Sequence, residues 1–486
     1  MTVLILVGTG LRLLYLQQPM RYDEAHSFLE YSSQPWFVTV AKYTEPNNHV
    51  GHNLFVHLTT QLMGDSEPII RLPAFLAGVL MIPFAYLLAR QFSSASAGAV
   101  FAAAVVATSS PLIEYSTNAR GYTLVGLFTL FAWLCADKIR ETGNRAAIIG
   151  LILSGAYGLW VIPVMLYPLS MIFTWAVLAP QRSPNQTFRV VKRFQRLLIC
   201  GIGIIIFTLL LYLPILLVEG PRALIANPYV GSLSWHEFGK RLSESAFFTI
   251  KFLSRDIGLT VAGIAFLATL AGIVMCRRRT RFSLLTAMAS VLIPVTLLTA
   301  QRVVPPERIW LFLIPLAAIF TGAGLQQFWE RSPLPYSQIF GWGIASSAIC
   351  LWPPIHMLVN NSVESSQETG AVPEAREIVH FLSDQLPEET PVIAVTPCSA
   401  PIKYYARHSE LGMYHFERPE DHGSLNAQTA VLILSKTSPQ TIESTLASLN
   451  LDEMYSPGQF QLWKQFPTTT LYRYGASASS FQNDLR

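Results

Sequence analysis

The sequence predicts a polytopic α-helical membrane protein, with about eleven transmembrane helices and a small C-terminal α/β domain outside the membrane. Three observations carry this. Of 486 residues, 51% are hydrophobic and only 13% charged, where an average soluble domain has about 25% charged. Mean hydropathy is +0.38. The charge is also divided: residues 361–486 hold 8 Lys/Arg and 15 Asp/Glu, a net of −7, which leaves +11 on residues 1–360. This composition excludes a disordered chain, a disulfide scaffold and an ordinary soluble enzyme. The five cysteines, Cys135, Cys200, Cys276, Cys350 and Cys398, lie far apart and form no CxxC, so neither a disulfide nor a redox or metal motif is expected.

A spanning helix needs about 20 mostly apolar residues. Runs of that kind fall at 2–17, 71–90, 97–113, 121–137, 146–160, 161–179, 197–218, 258–275, 282–300, 309–328 and 337–358. The stretch 146–179 is too long for one helix and contains Pro163, which divides it. Residues 50–63 are apolar but short and hold two histidines, a pattern for a helix lying on the membrane surface. Residues 1–17 have neither a charged leader nor an A-x-A site, so a cleaved signal is not expected. Their shortness, with Arg12 inside, suggests a start codon further upstream.

Lys and Arg of short loops stay preferentially on the cytoplasmic side. With the N-terminus cytoplasmic, the inner loops collect 14 basic residues in clusters, including Arg189–Arg196 and Arg277–Arg281. The outer loops hold 11, more widely spread. Residues 18–70, 114–120, 219–257, 301–308 and the tail then lie on the outer face of a cell (inner or plasma) membrane. In the tail, 373–386 has helical periodicity, 391–395 and 430–435 read as buried strands, and 438–449 is a helix capped by Ser438. Residues 1–358 are thus the membrane domain, with a first outer loop at 18–70, and 359–486 the soluble one.

Four outer segments carry candidate chemistry. RYDEAH (21–26) follows the first span. Asp23 could act as a general base toward an acceptor hydroxyl, or Asp23 and Glu24 could simply favour a helix N-terminus. In TEPNNHVGHN (44–53), His49 and His52 share a face at i, i+3. They could contact phosphate or sugar, could bind a divalent metal together with Asp23, or could be plain interfacial histidines. EYSTNARGY (114–122) offers Glu114, Tyr115, Arg120 and Tyr122 as lining of a cleft, although Arg120 could be a snorkelling anchor. QRVVPPERIW (301–310) places Arg302 and Arg308 at the end of a span, where guanidinium groups suit a lipid phosphate. Ordinary phospholipid headgroups would satisfy the same pair.

Together, LRLLYLQQPMRYDEAHSF, NNHVGHNLFVHL, RLPAFLAGVL, LIEYSTNARGYTLVGLF and PPERIWLFLIPLAAI resemble membrane-embedded glycosyltransferases of the GT-C fold. Within that fold the chain is most similar to the protein O-mannosyltransferases and the bacterial aminoarabinose transferase of lipid A. The resemblance covers roughly residues 5–330, and the Asp-Glu pair is its most specific piece. It implies a hexosyl or pentosyl group on polyprenyl phosphate, transferred to an acceptor hydroxyl outside the cytoplasm. It implies that Asp23 is the base and that Glu24 orients the acceptor or Asp23. Arg308 and Arg302 would hold the donor phosphate, with Arg120 and Arg222 as second choices. The family's HPP tripeptide is here His49-Val50-Gly51, and the tail lacks a β-trefoil pattern.

A base in direct displacement implies inversion at the anomeric carbon, whereas retention would need a covalent intermediate. No cofactor is identified, a divalent metal stays open, and the expected partners are the lipid-linked donor, an unidentified hydroxyl acceptor and the bilayer, with no nucleic acid. The alternative is a transporter or flippase of lipid-linked sugars, but such folds usually show internal repeats, and none is visible. The tail is expected to cap the outer cavity or bind the acceptor.

Overall fold

The computed structural model describes residues 1–486 except Pro46, 93–95, 180–186, 226–230, 276–283, 332–349, 388–389, 417–428 and 476–486. The Arg277–Arg281 cluster, Cys276 and the first part of the 337–358 span lie outside the described residues. The chain divides into two compact units, one of Met1–Leu16 with Tyr31–Val363, the other of Gln17–Glu30 with Glu364–Arg486. Residues 17–30, expected within the first loop of the membrane domain, therefore group with the C-terminal segment.

The first unit is helical. Its helices are α1 (Thr2–Leu13), α3 (Trp36–Ala41), α4 (Val50–Met63), α5 (Glu67–Phe92), α6 (Ala97–Thr108), α7 (Ser110–Ser116), α8 (Tyr122–Thr142), α9 (Arg145–Val161), α10 (Leu166–Leu178), α11 (Thr187–Val218), α12 (Arg222–Ile225), α13 (Trp235–Leu253) and α14 (Leu259–Met275), followed by Leu284–Gln301, Leu313–Arg331 and residues 350–360. α2 (Tyr22–Ser27) lies in the second unit. Among the described residues, each apolar run of the sequence carries a helix. Among the described residues, four helices are long and apolar enough to cross a membrane, and five more are apolar but shorter. The run at 97–113 is not one helix: it breaks at Ser109 and bends by 56° into α7. Pro163 does end α9's path, through a 3-10 turn at Pro163–Met165.

Aromatic stacking fills the middle of this unit, with Trp133 5.4 Å from Trp175 and Phe92 5.6 Å from Phe320 between ring centroids. Glycines let backbones meet: a Cβ at Gly322 would land on Gly98 O, and one at Gly324 on Gly272 Cα. Such small-residue contacts are what associate helices where lipid removes the hydrophobic driving force. The most apolar 18-residue stretch within Val191–Val218 of α11 is only 17% buried, as suits a helix whose solvent is lipid.

The second unit holds a four-stranded sheet of β1 (Val392–Ala394), β2 (Ala430–Ser435), β3 (Phe460–Gln465) and β4 (Thr469–Tyr474), in the order β1-β2-β4-β3. β1 runs parallel to β2, and the β2–β4 and β4–β3 pairs are antiparallel. Alternation along β2 sends Val431 and Ile433 to one core and Ala430, Leu432 and Leu434 to the other, so the strand reads as continuously apolar. The helix at Ala375–Gln385 matches its pattern. The later one is Ile442–Ser448, capped by Thr441 through a capping box with Ser444, not by Ser438. β3, β4 and the helix Ser399–Arg407 add to what the sequence marked.

Candidate active site

The candidate residues fall in both units. In the first, α4 starts at His49, which serves as its N-cap, and the turn between α7 and α8 carries Arg120 and Gly121. Gly121 N–H donates to His49 Nδ1 at 3.0 Å. This approach needs glycine, because a Cβ there would strike Val161 Cγ1. Arg120 Nη1 donates to Asn47 O at 2.8 Å, and its Nη2 lies 3.1 Å from His49 Nε2. Arg308 Nε donates to Tyr122 Oη at 2.9 Å, and the Tyr122 ring stands edge-on to His49 and to Tyr115. His49, Arg120 and Tyr115 are almost wholly buried.

The protonation of His49 follows from these contacts. Burial first, then the charges of Arg120, His52 and Arg308, hold its pKa well below the ordinary histidine value. A neutral imidazole has one donor and one acceptor nitrogen. With Nδ1 accepting from Gly121, the proton sits on Nε2, and Nε2–H then faces a guanidinium N–H. Two donors held side by side suit an anionic oxygen that lies beside them and accepts from both. His52 is fully buried, and its pKa is pushed down to about 3 by burial and Arg120, with Asn53 opposing.

Glu114, the next candidate, is ion-paired: Arg255 Nη2 is 2.5 Å from its Oε2. Asp256 continues the chain, 3.9 Å from Arg255 Nε, and accepts from Ser362 Oγ and His356 Nδ1 at 2.8 Å. Burial opposes the charge on Arg255, but Glu114 and Asp256 more than offset it, and the pKa is raised. The sequence did not single out Arg255, Asp256 or His356. The only signal for the first two was an Arg-Asp pair closing the 219–257 segment. Arg302 is placed differently from Arg308: its backbone has φ +51°, and its guanidinium lies over Trp235 and donates to Ser232 Oγ. Arg222 is exposed at the start of α12.

In the second unit, α2 begins after Arg21. Glu24 is buried, and its Oε1 accepts from Arg21 N–H at 3.0 Å, turning back on its own helix. The segment pairs by backbone with the start of the C-terminal region. Tyr22 N–H donates to Gly370 O at 2.9 Å and Asp23 N–H to Thr369 O at 3.2 Å. Arg21 Nη1 donates to Ser366 O at 2.8 Å, and Met20 N–H to Tyr405 Oη at 2.9 Å. Asp23 itself is half-buried. Among the described residues no three of His, Cys, Asp and Glu are grouped to hold a metal ion, so the suggestion of Asp23, His49 and His52 as ligands finds no cluster there.

Residues 48–213 match the family model described as dolichyl-phosphate-mannose-protein mannosyltransferase. No curated protein sequence matches the chain. Among solved structures it is similar to ArnT from Cupriavidus metallidurans in the apo state, at 13% identity over 97% of both chains with a TM-score of 0.61. The same protein bound to undecaprenyl phosphate matches at 14% identity over 98% of both chains, with a TM-score of 0.60. Archaeal oligosaccharyltransferase AglB from Archaeoglobus fulgidus, in complex with an inhibitory peptide and a dolichol-phosphate, matches at 13% identity over 83% of this chain and 63% of its own, with a TM-score of 0.52. The chain therefore has the GT-C fold of these membrane proteins, and over residues 48–213 it carries the sequence pattern of the mannosyltransferase family.

Proposed function

We propose that the protein transfers a sugar from a polyprenyl-phosphate carrier to an acceptor hydroxyl on the outer face of the cell membrane. The observation that carries this reading is the meeting of buried His49, Arg120 and Tyr122, all within the segment matched by the family model, with half-buried Arg308, which donates to Tyr122. Donors converging in a buried site favour a phosphate oxygen, and a polyprenyl phosphate was the ligand in one ArnT structure of the same fold. An apolar groove between helices would hold the prenyl tail. Because the donor already carries its leaving group, the work left is to stabilise the departing phosphate and to activate the hydroxyl. Cationic donors fixed in advance supply the first. Asp23 supplies the second as general base, an effect worth about 10²–10⁴-fold. With a base and no nucleophile, displacement is direct and the anomeric configuration inverts.

The test uses purified protein in detergent with a panel of radiolabelled polyprenyl-phosphate sugars and extracted membrane lipids and glycans as acceptors. Release of free polyprenyl phosphate is expected with at least one donor, and its loss in Asp23→Asn while that variant still binds the lipid. Lipid binding without release from any donor would overturn the reading and favour translocation of a lipid-linked sugar.

A further inference from the structure

A charge inside the first apolar helix is costly unless every one of its donors is used. Arg12 of α1 is fully buried, and its fork is spent on one neighbouring feature, the break between α6 and α7. Nη2 donates to Val106 O at 3.2 Å and Nη1 to Ala107 O at 3.1 Å, with a second bond from Nη1 to Gly8 O. In an unbroken helix those two carbonyls would accept from the N–H groups of residues 110 and 111. The break removes the first donor, and residue 111 is proline, which has no N–H to give. Val105 O is still taken by Ser109 N–H, so Arg12 reaches the two carbonyls that the break orphans. Its Nε donates to Ser116 Oγ at 3.0 Å, at the far end of α7. One side chain therefore holds both limbs of the 56° bend.

Space is kept for this clamp. A Cβ at Gly78 would lie 3.1 Å from Arg12 Nε and would collide with Ser116 Oγ. Four residues beyond Ser116 the chain presents Arg120 to His49. We infer that Arg12 is a positioning residue: by fixing the direction of α7 it sets where Arg120 meets His49, and so sets the affinity of that pair for the donor's phosphate. This rests on the reading of that pair as the phosphate site.

Two variants separate the clamp from a general packing role. Ser116→Ala cuts only the second limb, and Arg12→Lys keeps the charge but loses the fork. Binding of undecaprenyl phosphate to the folded, monodisperse full-length protein is titrated for each, alone and combined with Arg120→Ala. Each variant is expected to weaken binding about tenfold, as a displacement of the site by a fraction of an ångström would. Combined with Arg120→Ala, each is expected to add little, because the clamp acts through that residue. Parent-like affinity in Ser116→Ala, or losses that add in full to that of Arg120→Ala, would overturn the inference while leaving the phosphate reading intact. A parent protein that does not bind the lipid would overturn both.

Discussion

His52 shows how a single buried residue ties folding to pH. Its pKa lies near 3 in the folded protein, against about 6.5 in an unfolded chain. Between those values the unfolded state binds more protons, so the contribution to stability is complete above about pH 6.5 and is lost as pH falls toward 3. At pH 5 the loss is about 2 kcal/mol, and His49, also held neutral, adds to it with the same sign. His52→Gln cannot take up that proton. Its thermal midpoint in detergent is expected to fall less between pH 7.5 and pH 5 than the parent's. An identical fall in both would show that His52 titrates as an ordinary histidine.

At the scale of the elements, the helices of the first unit were legible because each is an apolar run bounded by charge or proline. The bend at Ser109 was not: 97–113 reads as one span, and only the pairing of Pro111 with a distant arginine reveals a break. Crossings are equally hidden, since a glycine in an apolar run gives no sign of which backbone it will touch. Gly98 and Gly322 meet at such a crossing, between α6 and the helix Leu313–Arg331. A side chain at either has a backbone carbonyl in its way, which cannot rotate aside. Gly322→Val is expected to cost about 1–3 kcal/mol, the usual range for overpacking, and to lower the thermal midpoint. Gly263, within α14, has nothing within 4 Å of an added Cβ, so Gly263→Val serves as the control and is expected to stay near the parent. Equal behaviour of the two variants would mean that the Gly98–Gly322 contact is not maintained in the membrane.

For the whole molecule, the sequence brought each candidate segment forward but could not pair them. His49 and Arg120 are 71 residues apart and meet through the turn between α7 and α8. Glu114 was marked without its partner Arg255, because an ion pair at that separation leaves no local pattern. The largest displacement from expectation is the segment 17–30, which carries the candidate base yet packs within the C-terminal unit. Asp23 and Tyr22 donate their backbone N–H groups to Thr369 and Gly370, more than 340 residues further on. Gly370 has φ +72°, which favours glycine, and a Cβ there would come 2.7 Å from Tyr22 Cβ and 3.1 Å from Pro397 Cβ. A side chain at 370 must therefore push on the residue that precedes Asp23. If Asp23 is the base, Gly370→Val is expected to lower the rate of sugar transfer at least about tenfold, since misplacing a base by an ångström can cost that much or more. Binding of undecaprenyl phosphate, which the proposal assigns to residues of the first unit, is expected to stay at the parent's level. Full transfer activity in Gly370→Val would remove the C-terminal region from any part in placing Asp23. Parallel loss of transfer and lipid binding would point instead to general unfolding.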